Sequence, residues 1–272
     1  MNPFIVDGPT CISFSGGRTS AYMLYKVLEA NNGLPKDAMV LFCNTGKEHE
    51  ATLNFVNDCQ INWNVPIIWL EYQVEEPRFK VVNFNTASRN GEPFAELIRA
   101  RQMLPNVRAR FCTVELKIRA MSRYTKSLGW DDYTNFIGIR ADEQRRVAKM
   151  RPDNKREDAV MPLAKAGIVK ANVLDFWEKN SFDLDLPIIN GETIGGNCDL
   201  CFLKAMPKIM TLVKQEPHRA IWWENQEKYA QTVTSGVGNR FSLDRPRYSE
   251  IANYMNKQMD IFNEDIVCFC GD

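Results

Sequence analysis

Thr10-Cys11-Ile12-Ser13-Phe14-Ser15-Gly16-Gly17-Arg18-Thr19-Ser20 is the stretch that decides the fold. Residues 10–14 are a short apolar run typical of a buried strand, and residues 19–30 carry apolar side chains at helical spacing. Between them, two glycines let the backbone turn sharply, and the helix that follows begins with unpaired N–H groups. Such a turn binds anions, so the hexapeptide predicts a phosphate loop. A lone Gly-Gly pair would instead favour a simple capped turn.

The pattern along the first half predicts an α/β fold. Further apolar strands are predicted at 38–43, 66–70 and 134–139, with a short one at 80–85, and helical patterns lie between them. Strands that are apolar on both faces indicate a mainly parallel sheet with helices on both faces. After about residue 160 the apolar stretches shorten and turn residues become frequent. We therefore expect an α/β domain over 1–160 and a small, helical, cysteine-bearing subdomain over 161–272.

Composition excludes several functions. Lys and Arg total 34, as do Asp and Glu, so the formal net charge is zero, which argues against nonspecific nucleic-acid binding as the main task. No apolar run approaches the roughly 20 residues of a membrane span, and residues 1–8 do not resemble a signal peptide. We expect a cytoplasmic protein with no membrane partner. In a reducing compartment, the eight cysteines point to metal ligation, catalysis or burial.

Several stretches, in order, resemble one family. Ser15–Ser20 resembles the S-G-G-x-x-S loop of the PP-loop ATP pyrophosphatases, and within that superfamily the chain is similar to phosphoadenosine phosphosulfate (PAPS) reductases, especially those of phages and mobile elements. The further similar stretches are Asn44-Thr45-Gly46 with Glu48, Arg110-Phe111-Cys112-Thr113 with Leu116-Lys117, and Gly138-Ile139-Arg140 followed by residues 141–146. The resemblance covers roughly residues 10–204. It implies an adenine nucleotide, ATP or PAPS, as ligand.

One departure from the family bears on the reaction. PAPS reductases end in Glu-Cys-Gly-x-His, whose cysteine attacks the sulfonucleotide, whereas this chain ends Cys268-Phe269-Cys270-Gly271-Asp272. The resemblance therefore implies either sulfonucleotide reduction, with a thiol reductant as partner, or ATP-dependent adenylation or thiolation of an acceptor such as a nucleic acid. The alternative is a non-catalytic nucleotide or nucleic-acid binding module that retains the loop. A homodimer is compatible with all three.

The expected site residues follow from the loop and the resemblance. Arg140, Lys117 and Cys270 are the expected catalytic residues. Asp142 and Glu143 could assist a phosphate-bound Mg²⁺, although salt bridges to nearby arginines are the simpler account. The expected nucleotide-binding residues are Ser15, Gly16, Gly17, Arg18, Thr19, Ser20, Asn44, Gly46, Gly138 and Arg140.

A run of basic residues gives a second candidate anion site. Within residues 99–126 only one acid, Glu115, lies among eight Lys and Arg residues. Arginine matches phosphate and sulfate oxygens in bidentate fashion, so an anion pocket facing the loop is one interpretation. A solvated helix face explains about half of these side chains. Arg140 is the strongest candidate, followed by Arg110 and Lys117.

The cysteine spacing predicts a metal centre. Cys198-x-x-Cys201 follows a Gly-Gly turn, Cys268-x-Cys270 is a second close pair, and Cys112 lies in a family motif. Related sulfur-handling enzymes use iron–sulfur clusters, so we expect Cys112, Cys198, Cys201 and either Cys268 or Cys270 to bind a [4Fe–4S] cluster. The alternatives are zinc held by the two close pairs, or ordinary reduced thiols. Cys11, Cys43 and Cys59 are expected in the core.

Overall fold

The computed structural model of the chain describes residues 2–150, 157–189 and 192–255. Its main sheet has six strands in the order β4-β3-β2-β1-β5-β6, and every neighbouring pair is parallel except β3 and β4. The predicted mainly parallel sheet is confirmed; β6 has no counterpart among the predicted strands. The strands are β1 (Thr10–Phe14), β2 (Ala38–Asn44), β3 (Ile67–Glu71), β4 (Lys80–Val82), β5 (Tyr133–Ile137) and β6 (Glu157–Val160).

The helices connect these strands and continue into the second half of the chain. They are α1 (Arg18–Asn31), α2 (Glu50–Asn62), α3 (Glu92–Arg101), α4 (Phe111–Thr113), α5 (Arg119–Ser127), α6 (Gln144–Lys149), α7 (Pro162–Lys165), α8 (Lys170–Lys179), α9 (Met206–Gln215) and α10 (Arg219–Val233).

A π-helical turn, Val114–Ile118, joins α4 to α5. The sequence predicts one continuous helix over 113–127. The π-helical turn is not visible in the sequence, because one extra residue in a single turn leaves the spacing of apolar residues almost unchanged. Such turns occur frequently at functional sites. The turn carries Lys117.

Alternating side chains of the strands build a core on each face of the sheet. Ile12, Val40 and Trp69 pack on one face with residues of α1, α2 and α8. Cys11, Leu41 and Leu70 point to the opposite face, where Ala120 of α5 covers them. Helices therefore lie on both faces, as predicted.

The second half of the chain contributes to two cores. Val173, Trp177 and Leu184 pack into the core built on α1 and α2. From Ile194 to Met255, apolar residues of α9 and α10 form a separate core with Phe94 and Leu97 of α3. A short hairpin, β7 (Ile188–Ile189) and β8 (Glu192–Thr193), lies between these two segments. The subdomain boundary at residue 160 stays a prediction.

None of the helices within residues 2–150, 157–189 and 192–255 combines the length and the apolar character that a membrane span needs.

Candidate functional site

The loop after β1 is held in shape by its own serines. The Ser20 hydroxyl accepts a hydrogen bond from the Ser15 N–H at 3.1 Å, lies 2.9 Å from the Ser15 hydroxyl and donates to the Gly17 carbonyl at 2.9 Å. The Ser15 amide is thus used internally. Gly17 is the N-cap of α1 and supplies no side chain, so the first-turn amides of α1 have the unpaired character expected of a helix start. The backbone N–H groups that remain for a ligand are therefore those in the second half of the loop.

Gly16 is required by the turn. Its φ is +75°, and a Cβ there would lie 2.7 Å from Cγ2 of Thr52. A side chain at this position would be strained by its backbone conformation and would also clash with α2. The loop consequently packs tightly against the start of the helix that follows β2.

The loop lies at the point where the sheet reverses its strand order. Strand β1 pairs with β2 on one side and with β5 on the other, and open α/β sheets bind ligands at the carboxyl ends of strands at such a position. Gly138, directly after β5, approaches so closely that a Cβ on it would lie 3.1 Å from the Ser20 Cα. The predicted Gly138 and the loop are therefore brought together.

A cavity of about 130 Å³ opens beside the loop. Cys43, assigned to the core from sequence, is buried but also lines this space, as does Met121, which the sequence did not single out. The sequence signals that could have placed them at the cavity are the position of Cys43 near the end of β2 and that of Met121 on α5. The lining residues are Ser13, Phe14, Ser15, Ser20, Cys43, Lys117, Met121, Ile137, Gly138 and Arg146.

Arg18 differs from its predicted role. Its side chain is 6% exposed, and its guanidinium donates to both carboxylate oxygens of Asp183, at 2.7 and 2.6 Å, and to the Thr193 hydroxyl at 2.9 Å. The positive charge of Arg18, which was expected to bind an anion at the loop, is thus already paired within the protein. The side chain anchors the segment after α8 to the start of α1, and only its backbone N–H remains available to a ligand.

Asn44 also differs from its predicted role. It is fully buried, and its amide donates to Glu71 at 2.6 Å and to the Ser88 carbonyl at 2.8 Å, while its oxygen accepts from the Gly46 N–H at 3.0 Å. Neither Asn44 nor Gly46 is among the residues that line the described cavity. Their observed role is to shape the loop after β2.

Arg140 lies against the phosphate loop, as predicted. Its guanidinium donates to the Thr19 hydroxyl at 3.1 Å and to Asp142 at 2.9 Å. Burial alone would raise the pKa of Asp142, but its hydrogen bond to Arg140 and the charge of that guanidinium lower it below the ordinary value. Glu143 accepts from the Arg140 N–H and from Arg146. Both acids thus take the simpler role of pairing with arginines.

Lys117 reaches the cavity from the π-helical turn. Its ammonium lies 3.6 Å from Oε1 of Glu48, a buried oxygen with no hydrogen-bond partner in the described residues. Burial alone would lower the pKa of Lys117, yet Glu48 and the sulfurs of Cys198 and Cys43 raise it above its ordinary value. Lys117 is therefore a positive charge held at the cavity wall.

The three cysteines predicted as ligands within the described residues come together. The Cys198 sulfur lies 3.4 Å from the Thr45 hydroxyl, and the Asp199 N–H donates to the Lys47 carbonyl at 2.7 Å, which ties this turn to the loop after β2. Burial raises the pKa of Cys198 and of Cys112, and in each case the Cys201 sulfur raises it further. The Cys201 sulfur therefore lies close to both Cys198 and Cys112.

To hold a metal ion, the side chains must be placed around one point and not only lie near one another. Across residues 2–150, 157–189 and 192–255, no three or more His, Cys, Asp or Glu side chains are placed so that they could hold a metal ion. Cys268 and Cys270, including the predicted catalytic Cys270, lie outside the described residues.

The basic run is partly structural. The buried carboxylate of Glu115 pairs with Arg101 at 2.5 Å, Arg119 at 2.6 Å and Arg123 at 3.5 Å. These arginines hold α3 and α5 together around one acid. Arg110, by contrast, is exposed at the N-cap of α4. The structure therefore separates this cluster from the cavity that Lys117 lines.

Comparisons with solved structures give low similarity. The chain is 14% identical to a PAPS reductase from Candida auris, with a TM-score of 0.44, covering 66% of this chain and 76% of that one. It is 16% identical to the U34-tRNA thiolase NcsA from Methanococcus maripaludis with its [4Fe–4S] cluster, with a TM-score of 0.40, covering 98% of this chain and 77% of that one.

Sequence comparisons define the family. The chain is 32% identical over 219 residues to the nin region protein ORF290 of Escherichia phage lambda, covering 75% of this chain and 69% of that protein. It is 26% identical over 239 residues to protein MJ0066 of Methanocaldococcus jannaschii, covering 86% of this chain and 44% of that protein. The model of the phosphoadenosine phosphosulfate reductase domain matches residues 9–181. The chain belongs to the phosphoadenosine phosphosulfate reductase domain family.

Proposed function

We propose that the protein is an enzyme of sulfur chemistry that binds an adenine nucleotide at the loop after β1. The observation that carries this proposal is the junction of Ser20, Gly138 and Lys117 around one cavity at the strand-order reversal. Backbone amides at the start of α1 bind a phosphate, and Lys117 supplies a fixed positive charge on the cavity wall. Arg140 keeps Thr19 oriented and adds charge at the same end of α1.

Two reactions fit this arrangement. In the first, an acceptor oxygen or nitrogen attacks the α-phosphate of ATP, the bond to the β-phosphate breaks, and pyrophosphate leaves. In the second, a thiolate attacks the sulfur of a bound sulfonucleotide and the adenosine phosphate leaves. A second thiol then displaces sulfite, so that two thiols become one disulfide and the sulfur gains two electrons. Both place developing negative charge near the loop, where Lys117 and the helix amides stabilise it.

The neighbouring thiols support sulfur handling. Cys112, Cys198 and Cys201 offer the sulfur donors that an iron–sulfur cluster or a zinc ion uses. We propose that they hold a [4Fe–4S] cluster together with Cys268 or Cys270, and the cluster would supply sulfur binding or electron transfer. Because these side chains are not arranged as a ligand group in the described residues, loading would have to draw them together. Anaerobic purification tests this: four irons with matching sulfide support the cluster, and an iron-free protein that carries zinc refutes it.

Nucleotide binding is tested by mass spectrometry of co-purified ligand and by calorimetric titration with AMP, ATP and PAPS. Lys117→Met should reduce nucleotide affinity or turnover at least tenfold. Lys126→Met is the matched control, because it removes the same charge from an exposed position on α5 outside the cavity. Equal effects of the two substitutions would contradict the role given to Lys117.

Turnover separates the enzyme from a binding module. Pyrophosphate release from ATP, measured with candidate acceptors, identifies the first reaction, and sulfite release from PAPS with a dithiol reductant identifies the second. Nucleotide binding without either product would favour the non-catalytic module.

A further inference from the structure

Four arginines form a basic surface around the buried carboxylate of Glu115. They are Arg101 of α3, Arg110 at the start of α4, and Arg119 and Arg123 of α5. All except Arg110 pair with Glu115. The Arg101 guanidinium also lies 5.8 Å from the centre of the Phe111 ring, and Phe111 directly follows Arg110. The basic surface therefore joins three helical segments.

The basic surface keeps an excess of positive charge. Three of its arginines share one carboxylate, and Arg110 forms no ion pair within residues 2–150, 157–189 and 192–255. Burial and Glu96 raise the pKa of Tyr72 while Arg101 lowers it, which places Glu96 in the same region. The Glu96 carboxylate accepts a hydrogen bond from the Val74 N–H at 2.8 Å. Even when Glu96 is counted, four cations stand against two anions.

One donor of the basic surface lacks an acceptor. Nη1 of Arg123 is buried and has no hydrogen-bond partner among the described residues, while its Nη2 lies 3.5 Å from Glu115. Buried polar groups are normally hydrogen-bonded, so this donor is unusual. Arg119 and Arg123 are neighbours on the helix at positions i and i+4. An oxyanion drawn to both would give the Arg123 guanidinium the second acceptor that it lacks.

Helix α5 separates the basic surface from the nucleotide cavity. Met121 lines the cavity, and Arg119 and Arg123 stand two positions before and after it. Successive residues of an α-helix point about 100° apart, so residues two positions apart point in nearly opposite directions. The two sites therefore lie about one helix diameter, roughly 10 Å, apart. At the other end of the surface, Arg110 is two residues from Cys112.

An extended polyanion fits this surface better than a small anion. The side chains of Arg101 and Arg119 are 47% and 53% exposed, and water weakens ion pairs at such positions, so a single phosphate would be held loosely. A nucleic-acid backbone contacts several arginines at once and releases its counterions. Arginine matches phosphate oxygens in bidentate fashion, and the half-buried ring of Phe111 is of the kind on which bases stack.

We propose that the basic surface binds the phosphodiester backbone of a nucleic acid. The contacts are to the backbone, so binding does not require one particular base sequence. A bound nucleic acid would supply the acceptor oxygen or nitrogen of the ATP-dependent reaction. That consequence, unlike the binding itself, rests on the proposed function.

Fluorescence anisotropy of the full chain with labelled oligonucleotides tests the surface. The probes are single-stranded DNA, single-stranded RNA and duplex DNA, each about 20 nucleotides long, which exceeds a typical single-strand site. Arg110→Gln/Arg119→Gln should weaken binding of the tightest probe at least tenfold. Each lost contact with a single strand lowers the slope of log K against log salt by about 0.7, so the double variant should lose about 1.4 of that slope, or about 1.8 with the duplex.

A matched control removes the same number of charges elsewhere. Lys36→Gln/Lys179→Gln changes two exposed residues, one before β2 and one at the end of α8, and should alter neither the affinity nor the slope. Urea unfolding verifies that each variant is folded. Arg110→Gln alone, which leaves all three pairs of Glu115 intact, should lose about half of the slope change and decides the matter if the double variant does not fold.

The remaining outcomes are decisive. Equal binding by the wild type and the double variant refutes the proposal, as does no binding of any probe. A labelled polyglutamate that binds as tightly as the oligonucleotides, with the same loss in the variant, also refutes it and indicates an acidic protein partner.

Calorimetric titration with ATP separates this inference from the proposed function. The double variant should bind ATP within twofold of the wild type, and a loss equal to that for the oligonucleotides would overturn the proposal, because the arginines would then belong to the nucleotide site. Oligonucleotide binding without any adenine-nucleotide binding would refute the proposed function and leave the basic surface standing. Nucleotide binding without oligonucleotide binding would do the reverse.

Discussion

Gly16→Ala is the substitution that best tests the described loop. A residue other than glycine at φ +75° costs about 1–2 kcal/mol, and the new Cβ would lie 2.7 Å from Thr52 Cγ2 and 3.1 Å from Phe42. Forcing a methyl into a packed core typically costs a further 1–3 kcal/mol, roughly. We therefore expect the free energy of unfolding to fall by about 2–5 kcal/mol.

Gly8→Ala is the control for the backbone effect alone. Gly8 has a similar φ of +77°, but a Cβ there would meet nothing within 4 Å. Its substitution should cost only the backbone term, about 1–2 kcal/mol, and leave nucleotide affinity unchanged. Urea unfolding of both variants measures the difference, provided that the m-value is constant. Equal destabilisation by the two substitutions would refute the tight packing of the loop on α2.

A double-mutant cycle sharpens this test. Thr52→Ser removes only the methyl group that the new Cβ would strike. In that background Gly16→Ala should cost about 1 kcal/mol less than in the wild type, because contacting residues couple in this range. Additive effects would show that Thr52 is not the obstacle.

Three further predictions concern buried or paired groups. Arg18→Met should lower stability by about 2 kcal/mol or more in urea unfolding, since charge-assisted hydrogen bonds to Asp183 are lost; an unchanged midpoint would contradict the anchoring role. Burial raises the pKa of Cys43 to about 12, so its thiol should resist iodoacetamide at pH 8 in the native protein and react in urea, as followed by mass spectrometry. The lowered pKa of Asp142 means that its stabilising contribution is present above about pH 4 and is lost as the pH falls further; Asp142→Asn should flatten that part of the stability profile, and an unchanged profile would count against the Arg140 pairing.

The sheet and the turn after β1 were predictable because their signals are local. Strands β1, β2 and β3 are continuous apolar runs, and Gly16 marks the turn that only glycine allows. The carboxyl ends of parallel strands meet at one edge, so the position of Gly138 and Arg140 at the same edge as the loop also followed from the predicted parallel sheet. Local patterns of this kind determine where strands, helices and tight turns form.

The differences between expected and observed contacts concern side chains whose partners are distant in sequence. Arg18 was assigned to the anion because its neighbours are loop residues, but its partner Asp183 lies 165 positions later. Asn44 follows a strand as a ligand-binding residue would, yet Glu71 and Ser88 saturate its amide inside the protein. A polar residue beside a loop can either bind a ligand or form hydrogen bonds within the protein. A local sequence pattern does not distinguish these two roles when the partner in the protein is distant in sequence.

Contacts between distant segments also explain why the second half of the chain matters to a site whose loop belongs to the first half. Asp183 fixes Arg18 at the start of α1, and Lys208 of α9 lines a cavity of about 250 Å³ together with Arg18 and Arg140. Asp199, next to Cys198, pairs with the buried Lys47 at 3.1 Å and also accepts from Trp223 at 2.8 Å, so the cysteine turn is fastened to the loop after β2 by a desolvated charge pair. Breaking such a pair leaves an uncompensated buried charge and is strongly unfavourable. The Cys198 turn is therefore held against the loop after β2 by contacts that no local sequence pattern reveals.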